Sequence, residues 1–142
     1  MILVDTSVWI DFFAGRDSSH VSRFEQLVLD NENLALCGIV LSEILQGIAD
    51  DVDYRRVRRD LRPLVMLPMT ESVFVRAADI YRELRKKGIT IRKSNDCIIA
   101  ATVLEHGCQL LHNDKDFVPI ERHFALKIVN PNFPDGAGEF SS

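Results

Sequence analysis

Met1-Ile2-Leu3-Val4-Asp5-Thr6-Ser7-Val8-Trp9-Ile10-Asp11-Phe12 opens the chain, and its reading decides the fold. The apolar run stops abruptly at Asp5. Two hydroxyl residues follow, then Val8, Trp9 and Phe12 at helical spacing, so the stretch predicts a buried strand that turns directly into a helix. Asp5 therefore falls at the C-terminal end of a strand. In open α/β sheets that edge is where ligands bind, because strand ends and helix N-termini converge on one crevice there.

Working outward, the rest of the chain repeats this alternation. Asp17-Ser18-Ser19 predicts the cap of a second helix bearing Val21, Phe24, Leu27 and Val28. Leu34 to Cys37 predicts a short buried strand, and Gly38 introduces a helix with Ile39, Val40, Ile44, Leu45 and Ile48 as an apolar stripe. Glu43 lies within that stripe, where a buried carboxylate needs a partner; the alternative is that it faces solvent. Tyr54 to Arg62 predicts a basic helix, either a phosphate contact or a solvated face. Leu64 to Pro68 reads as extended. A long amphipathic helix runs from Thr70 to Gly88, and a second, strongly apolar one from an N-cap at Ser94 to Gly107. Asp96 sits in its first turn, where an acid also serves simply to compensate the helix dipole. Gln109-Leu110-Leu111 predicts a strand running into His112-Asn113-Asp114-Lys115-Asp116-Phe117, and Leu126 to Val129 predicts a last strand. The pattern is that of a parallel sheet covered by helices.

Composition narrows the function. The 142 residues, 46% of them hydrophobic, suit one core rather than two domains. A net charge of −4 argues against binding nucleic acid by bulk attraction, although a local basic face or a metal could supply it. Cys37, Cys97 and Cys108 are odd in number and lack C-x-x-C spacing, which argues against a disulfide scaffold or thiolate zinc site. No apolar run approaches the roughly 18 residues needed to span a bilayer, and no signal peptide opens the chain, so a cytoplasmic protein without membrane contact is expected. After Pro131 the composition shifts to Pro, Gly, Ser and Asp. The expected organisation is one domain over 1–131 and a flexible C-terminal tail over 132–142.

Asp5, Glu43, Asp96 and Asp114 each fall near one sheet edge or on a helix able to face it. If they converge, charge limits what they do. Two carboxylates about 4 Å apart repel by about 4 kcal/mol at an effective dielectric near 20, so the cluster needs cations or protons. All-oxygen ligation favours Mg²⁺ or Mn²⁺ over zinc, and such an ion activates water against a phosphodiester.

Val4 to Ile10, Ser42-Glu43-Ile44-Leu45-Gln46-Gly47, Asn95-Asp96-Cys97-Ile98-Ile99-Ala100-Ala101 and Asn113 to Phe117 together resemble the signature stretches of PIN-domain ribonucleases. Their order and separations are similar to those of VapC-type toxins of type II toxin–antitoxin systems, and the likeness runs from Met1 to about Pro131. It implies a PIN-like three-layer α/β/α sandwich with a central, mainly parallel sheet of four to five strands. It also implies a metal-dependent endoribonuclease toxin that inhibits translation or growth. Asp5, Glu43, Asp96 and Asp114 would be its catalytic acids. Asp5, Asp96 and Asp114 would hold Mg²⁺ or Mn²⁺, Glu43 directly or through water, with Asp116 a further candidate ligand and Thr6 and Ser7 in support. His112 stands where the family commonly has Thr or Ser, and could orient Asp114, touch substrate or pack. The implied partners are RNA, a VapB-type antitoxin, and a second copy in a homodimer, with larger toxin–antitoxin assemblies open. Arg58, Arg59, Arg92 and Lys93 are the RNA-contact candidates. Trp9, Phe12 and Phe13, with Val8 and Ile10, make the first helix apolar around more of its circumference than one core contact needs, and are the candidate antitoxin groove. The helices from Thr70 and from Ser94 are the dimer candidates. A PIN nuclease acting on DNA or in RNA processing, and a non-catalytic metal- or RNA-binding module, are the alternatives. A phosphoacceptor role for Asp5 fails because Ser7 stands where such phosphatases need an acid.

Overall fold

The structure, a computed structural model, describes residues 1–132. The expected tail therefore lies, beyond residue 132, outside the described residues. Strand β1 (Ile2–Val4) leads into helix α1 (Thr6–Phe13) and α2 (Ser19–Leu29); β2 (Leu34–Cys37) leads into α3 (Gly38–Gln46) and α4 (Asp51–Leu61). Then β3 (Val65–Leu67) precedes α5 (Glu71–Lys86) and α6 (Ser94–His106), and β4 (Gln109–Leu111) precedes a 3-10 turn (Lys115–Phe117) and α7 (Val118–Phe124).

The sheet order is β3-β2-β1-β4, and every pairing is parallel, with Ile2 opposite both Leu34 and Gln109, and Ala35 opposite Val65. β1 is thus an inner strand, and Leu3 and Val4 are wholly buried, as an uninterrupted apolar run requires when both sheet faces are covered. All four strands point the same way, so the residues following Val4, Cys37 and Leu111 emerge along one edge. α1 packs against α2 and α3, while α5 lies along α6 and touches α7. No helix among the described residues is long and apolar enough to cross a membrane.

Three details differ from the sequence reading. The last strand is reduced to a single parallel bridge, Leu110 to Ile128, so the sheet has four strands among the described residues. Leu126 and Val129 both turn inward, and a spacing of three is incompatible with a strand's alternation. Secondly, the N-cap of α6 is Lys93 and not Ser94, with no side-chain capping bond. Thirdly, α6 is consumed by the core: Cys97, Ile99, Ala100, Ala101, Thr102 and Val103 are all buried. α5 retains surface apolar residues, Phe74 and Val75.

Candidate active site

Asp5 caps α1. Its extended backbone lets Oδ2 accept the Ser7 amide at 3.0 Å and the Ser7 hydroxyl at 2.6 Å. Ser7 Oγ in turn accepts the Asn113 amide at 2.9 Å, tying the end of β1 to the loop after β4. Thr6 Oγ1 donates to Glu43 Oε1 at 3.0 Å, so the half-buried glutamate on α3 has a partner and faces the site rather than solvent. The two hydroxyls after Asp5 thus each hold one acid-bearing element in register.

Asp96, Asp114 and Asp116 come together: one carboxylate oxygen from each lies within 4.8 Å of the others. Asp96 is buried at the start of α6, and its Oδ2 accepts no hydrogen bond, although Lys93 Nζ lies 4.0 Å away. Asp114 Oδ1 accepts the Asp116 amide at 2.9 Å and so caps the 3-10 turn, while its Oδ2 takes Lys93 Nζ at 2.7 Å. Arg92 donates to both oxygens of Asp116 at 3.2 and 3.1 Å. Asp5 and Glu43 stand outside this tightest trio but within its field: Asp5 helps to raise the Asp96 carboxyl, and Asp114 helps to raise that of Glu43.

Burial, reinforced by Asp114, Asp5 and Asp116 and opposed by Lys93, pushes the Asp96 carboxyl up to about 7. Burial also raises Glu43, with the Thr6 hydroxyl opposing and Asp5 assisting. For Asp114 burial pushes upward too, but the hydrogen bonds from Lys93 and the Asp116 amide outweigh it, and its carboxyl lies below the ordinary value. A buried carboxylate oxygen that accepts no hydrogen bond, beside two further acids, fits a bound cation. The donors are all oxygen, which fits a hard divalent ion such as Mg²⁺ or Mn²⁺.

His112 receives the Asp114 amide on Nδ1 at 3.1 Å. That acceptor role places the proton on Nε2, which donates to Glu121 Oε1 at 2.5 Å. The ring also lies against Phe117, with centroids 4.7 Å apart. Of its three readings, the contacts favour orientation of the Asp114 loop.

The remaining candidates divide. Arg92 and Lys93 sit on the acids. Arg58 and Arg59 line a separate concavity of about 670 Å³ on α4, with Val52, Arg55, Arg56 and Arg62. Trp9 must be corrected as a surface anchor: it is 5% exposed, its indole donates to the Val4 carbonyl at 3.1 Å, and Phe24 of α2 packs edge-on against it. α2 folds over that side of α1 and takes the largest apolar side chain inside. Phe12 and Phe13 stay 38% and 43% exposed, beside exposed Ile10.

Sequence reading missed a supporting network. Buried Asp11 accepts Asn113 Nδ2 at 2.9 Å and Arg16 at 2.7 Å, and the Asn113 bond, helped by Arg16 and opposed by burial, leaves its carboxyl below the ordinary value. The available signal was that Ser7 and Asp11 are four apart on one helix and so share a face; both grip Asn113.

The PIN domain family model matches residues 2–122. Ribonuclease VapC11 of Mycobacterium tuberculosis is 36% identical over 124 residues, covering 86% of this chain and 92% of that protein. Among solved structures, VapBC-1 from nontypeable Haemophilus influenzae superposes with a TM-score of 0.71 at 26% identity, over 92% of this chain and 98% of that one. VapBC2 from Rickettsia felis, bound to a DNA fragment from its promoter, gives 0.73 at 21% identity over the same shares, a likeness of fold alone. A match over nearly the whole described chain, with a relative so similar over most of both lengths, makes this chain a member of the PIN-domain family, related to the VapC ribonucleases.

Proposed function

We propose that this chain is a metal-dependent endoribonuclease of the toxin–antitoxin type. The observation that carries the reading is the Asp96–Asp114–Asp116 trio with its unpartnered, buried Asp96 oxygen. Asp96, Asp114 and Asp116 would hold Mg²⁺ or Mn²⁺ together with Asp5, and Glu43 would act beside them directly or through water. The ion supplies Lewis acidity and lowers the pKa of the attacking water. Ser7 keeps Asp5 aimed and joins it to the Asp114 loop; Thr6 does the same for Glu43; His112 and Asp11 hold the loop from behind, through the Asp114 amide and Asn113.

RNA as substrate is supported by the relatives, which are named ribonucleases. Hydrolysis by water leaves 5′-phosphate and 3′-hydroxyl ends, because the ribose 2′-hydroxyl takes no part. Mapping product ends tests this directly, and a 2′,3′-cyclic phosphate would overturn it. Asp5→Asn should remove cleavage and leave the fold intact.

A VapB-type antitoxin is the restraint such an enzyme needs, and similar solved structures are VapBC assemblies. Ile10, Phe12 and Phe13 offer an exposed apolar face for an amphipathic segment. The homodimer would form through the exposed part of α5 around Phe74 and Val75. A monomer by light scattering would refute it.

A further inference from the structure

The acid trio carries its own counter-cations. Lys93 Nζ lies 2.7 Å from Asp114 Oδ2 and 4.0 Å from Asp96 Oδ2, and Arg92 spans both oxygens of Asp116. The two cations are consecutive and immediately precede α6, so the segment that delivers Asp96 also delivers the charges that pair with Asp114 and Asp116. Their freedom differs from that of the acids. The Arg92 and Lys93 side chains are 74% and 55% exposed, whereas Asp96, Asp114 and Asp116 are 7%, 18% and 15% exposed. The acids are fixed by their surroundings. The cations reach in from water on flexible stems, and Lys93, although it is the N-cap of α6, makes no side-chain capping bond that would be lost if it swung away.

We propose that Arg92 and Lys93 form an internal clamp on the acid trio, paired with Asp116 and Asp114 in the metal-free protein and released to RNA phosphate when a divalent ion binds. The proposal rests on the nuclease reading above.

The physical reason is competition for the same oxygens. Asp114 Oδ2 cannot give its full charge to Lys93 and to an incoming ion, and a fixed ammonium beside a doubly charged ion is repelled by it. Metal binding therefore favours the swung-out conformers of both side chains. There, at the rim of the site, they meet the backbone of the RNA that the acids alone would repel. Thermodynamic linkage makes this reciprocal: RNA that engages Arg92 and Lys93 vacates the trio and tightens metal binding.

Mn²⁺ binding measured by calorimetry on wild type, Lys93→Met, Arg92→Gln and Lys93→Arg tests the first half. Removing a partly exposed counter-cation should tighten Mn²⁺ binding about fivefold for Lys93→Met, less for Arg92→Gln, while Lys93→Arg stays near wild type. The metal-free Lys93→Met protein should also melt below metal-free wild type. The second half is read from anisotropy of a short fluorescein-labelled single-stranded RNA, with its integrity checked on a gel. In EDTA, wild type and the Arg92→Gln/Lys93→Met double variant should show the same salt slope. In Ca²⁺, wild type should be steeper by about 1.4, from about 0.7 per phosphate contact on single strands. Wild type that binds Mn²⁺ with both single variants unchanged, or a slope difference already present in EDTA, overturns the clamp alone. Wild type that binds no Mn²⁺ overturns the clamp and the nuclease reading together.

Discussion

Asp96→Asn should stabilise the metal-free protein, and only above about pH 5. In the fold the Asp96 carboxyl titrates near 7, against an ordinary value of 3.8, with burial as the main cause. A folded-state value above the unfolded one means that the native state binds the extra proton between the two values. Stability from this group is therefore fully present below about pH 4 and is lost as pH rises toward 7. The gap of about three pH units, at 1.36 kcal/mol each, sets a ceiling of ~4 kcal/mol on the penalty at pH 8. Asparagine removes the charge but leaves a buried amide group short of a partner, which costs about 1–2 kcal/mol, so a net gain of about 2 kcal/mol is expected. For a domain of this size that is a rise in Tm of roughly 5–8 °C at pH 8. Burial-driven Glu43 acts in the same direction, whereas Asp114, held below its ordinary value, gives stability that is lost only as pH falls through the acid range. The assay is thermal unfolding in EDTA, wild type against Asp96→Asn, from pH 4 to 9. A difference that does not grow with pH, or a destabilised variant at pH 8, would refute the electrostatic account of this site. Adding Mn²⁺ should reverse the order, because only wild type keeps the ligand.

Three shorter predictions follow from the same contacts. His112→Ala should weaken Mn²⁺ binding by about tenfold or more with little loss of fold, as expected when support behind a ligand is removed; unchanged affinity in calorimetry would reduce the ring to packing. Trp9→Ala should cost about 3–5 kcal/mol in denaturant unfolding, whereas Phe13→Ser should cost little stability yet weaken co-purification with the antitoxin; the opposite ordering would place the groove elsewhere. Arg58→Ala with Arg59→Ala should flatten the salt dependence of RNA binding if α4 touches substrate, and an unchanged slope would return that helix to plain solvent exposure.

The sheet and the acids were legible because both are written locally. A fully buried strand shows as an unbroken apolar run, as at Ile2–Val4, and an acid at its end shows as the residue that breaks it. What was not legible depends on partners distant in the chain. Helical spacing marks Trp9, Phe12 and Phe13 alike as apolar; Phe24 on α2 packs edge-on against both Trp9 and Phe12, yet the indole alone turns inward, to the Val4 carbonyl, while the two phenyl rings stay partly exposed. Asp11 carried no local signal of its role, because its partner Asn113 lies 102 residues away. Lys93 looked like an RNA contact, since nothing in Arg92-Lys93-Ser94 says that the chain folds both cations back onto Asp114 and Asp116.

These long-range contacts share a purpose that the local pattern hides. A cluster of acids at one sheet edge repels itself, and burial makes the repulsion stronger, so a metal-free fold needs charge held nearby. The chain meets that need unevenly. Asp116 and Asp114 receive Arg92 and Lys93, Asp5 receives the Ser7 hydroxyl and amide, Glu43 receives the Thr6 hydroxyl, and Asp96 alone keeps a buried oxygen without a donor. The deficit is concentrated on one atom rather than shared among five carboxylates. An ion arriving there finds its strongest gain at Asp96 and its weakest competition, since the cations on the other two acids are solvent-exposed and able to leave. Asp96 is therefore the acid whose replacement should change metal affinity most, ahead of Asp116, whose partner Arg92 and peripheral position make it the most dispensable of the trio.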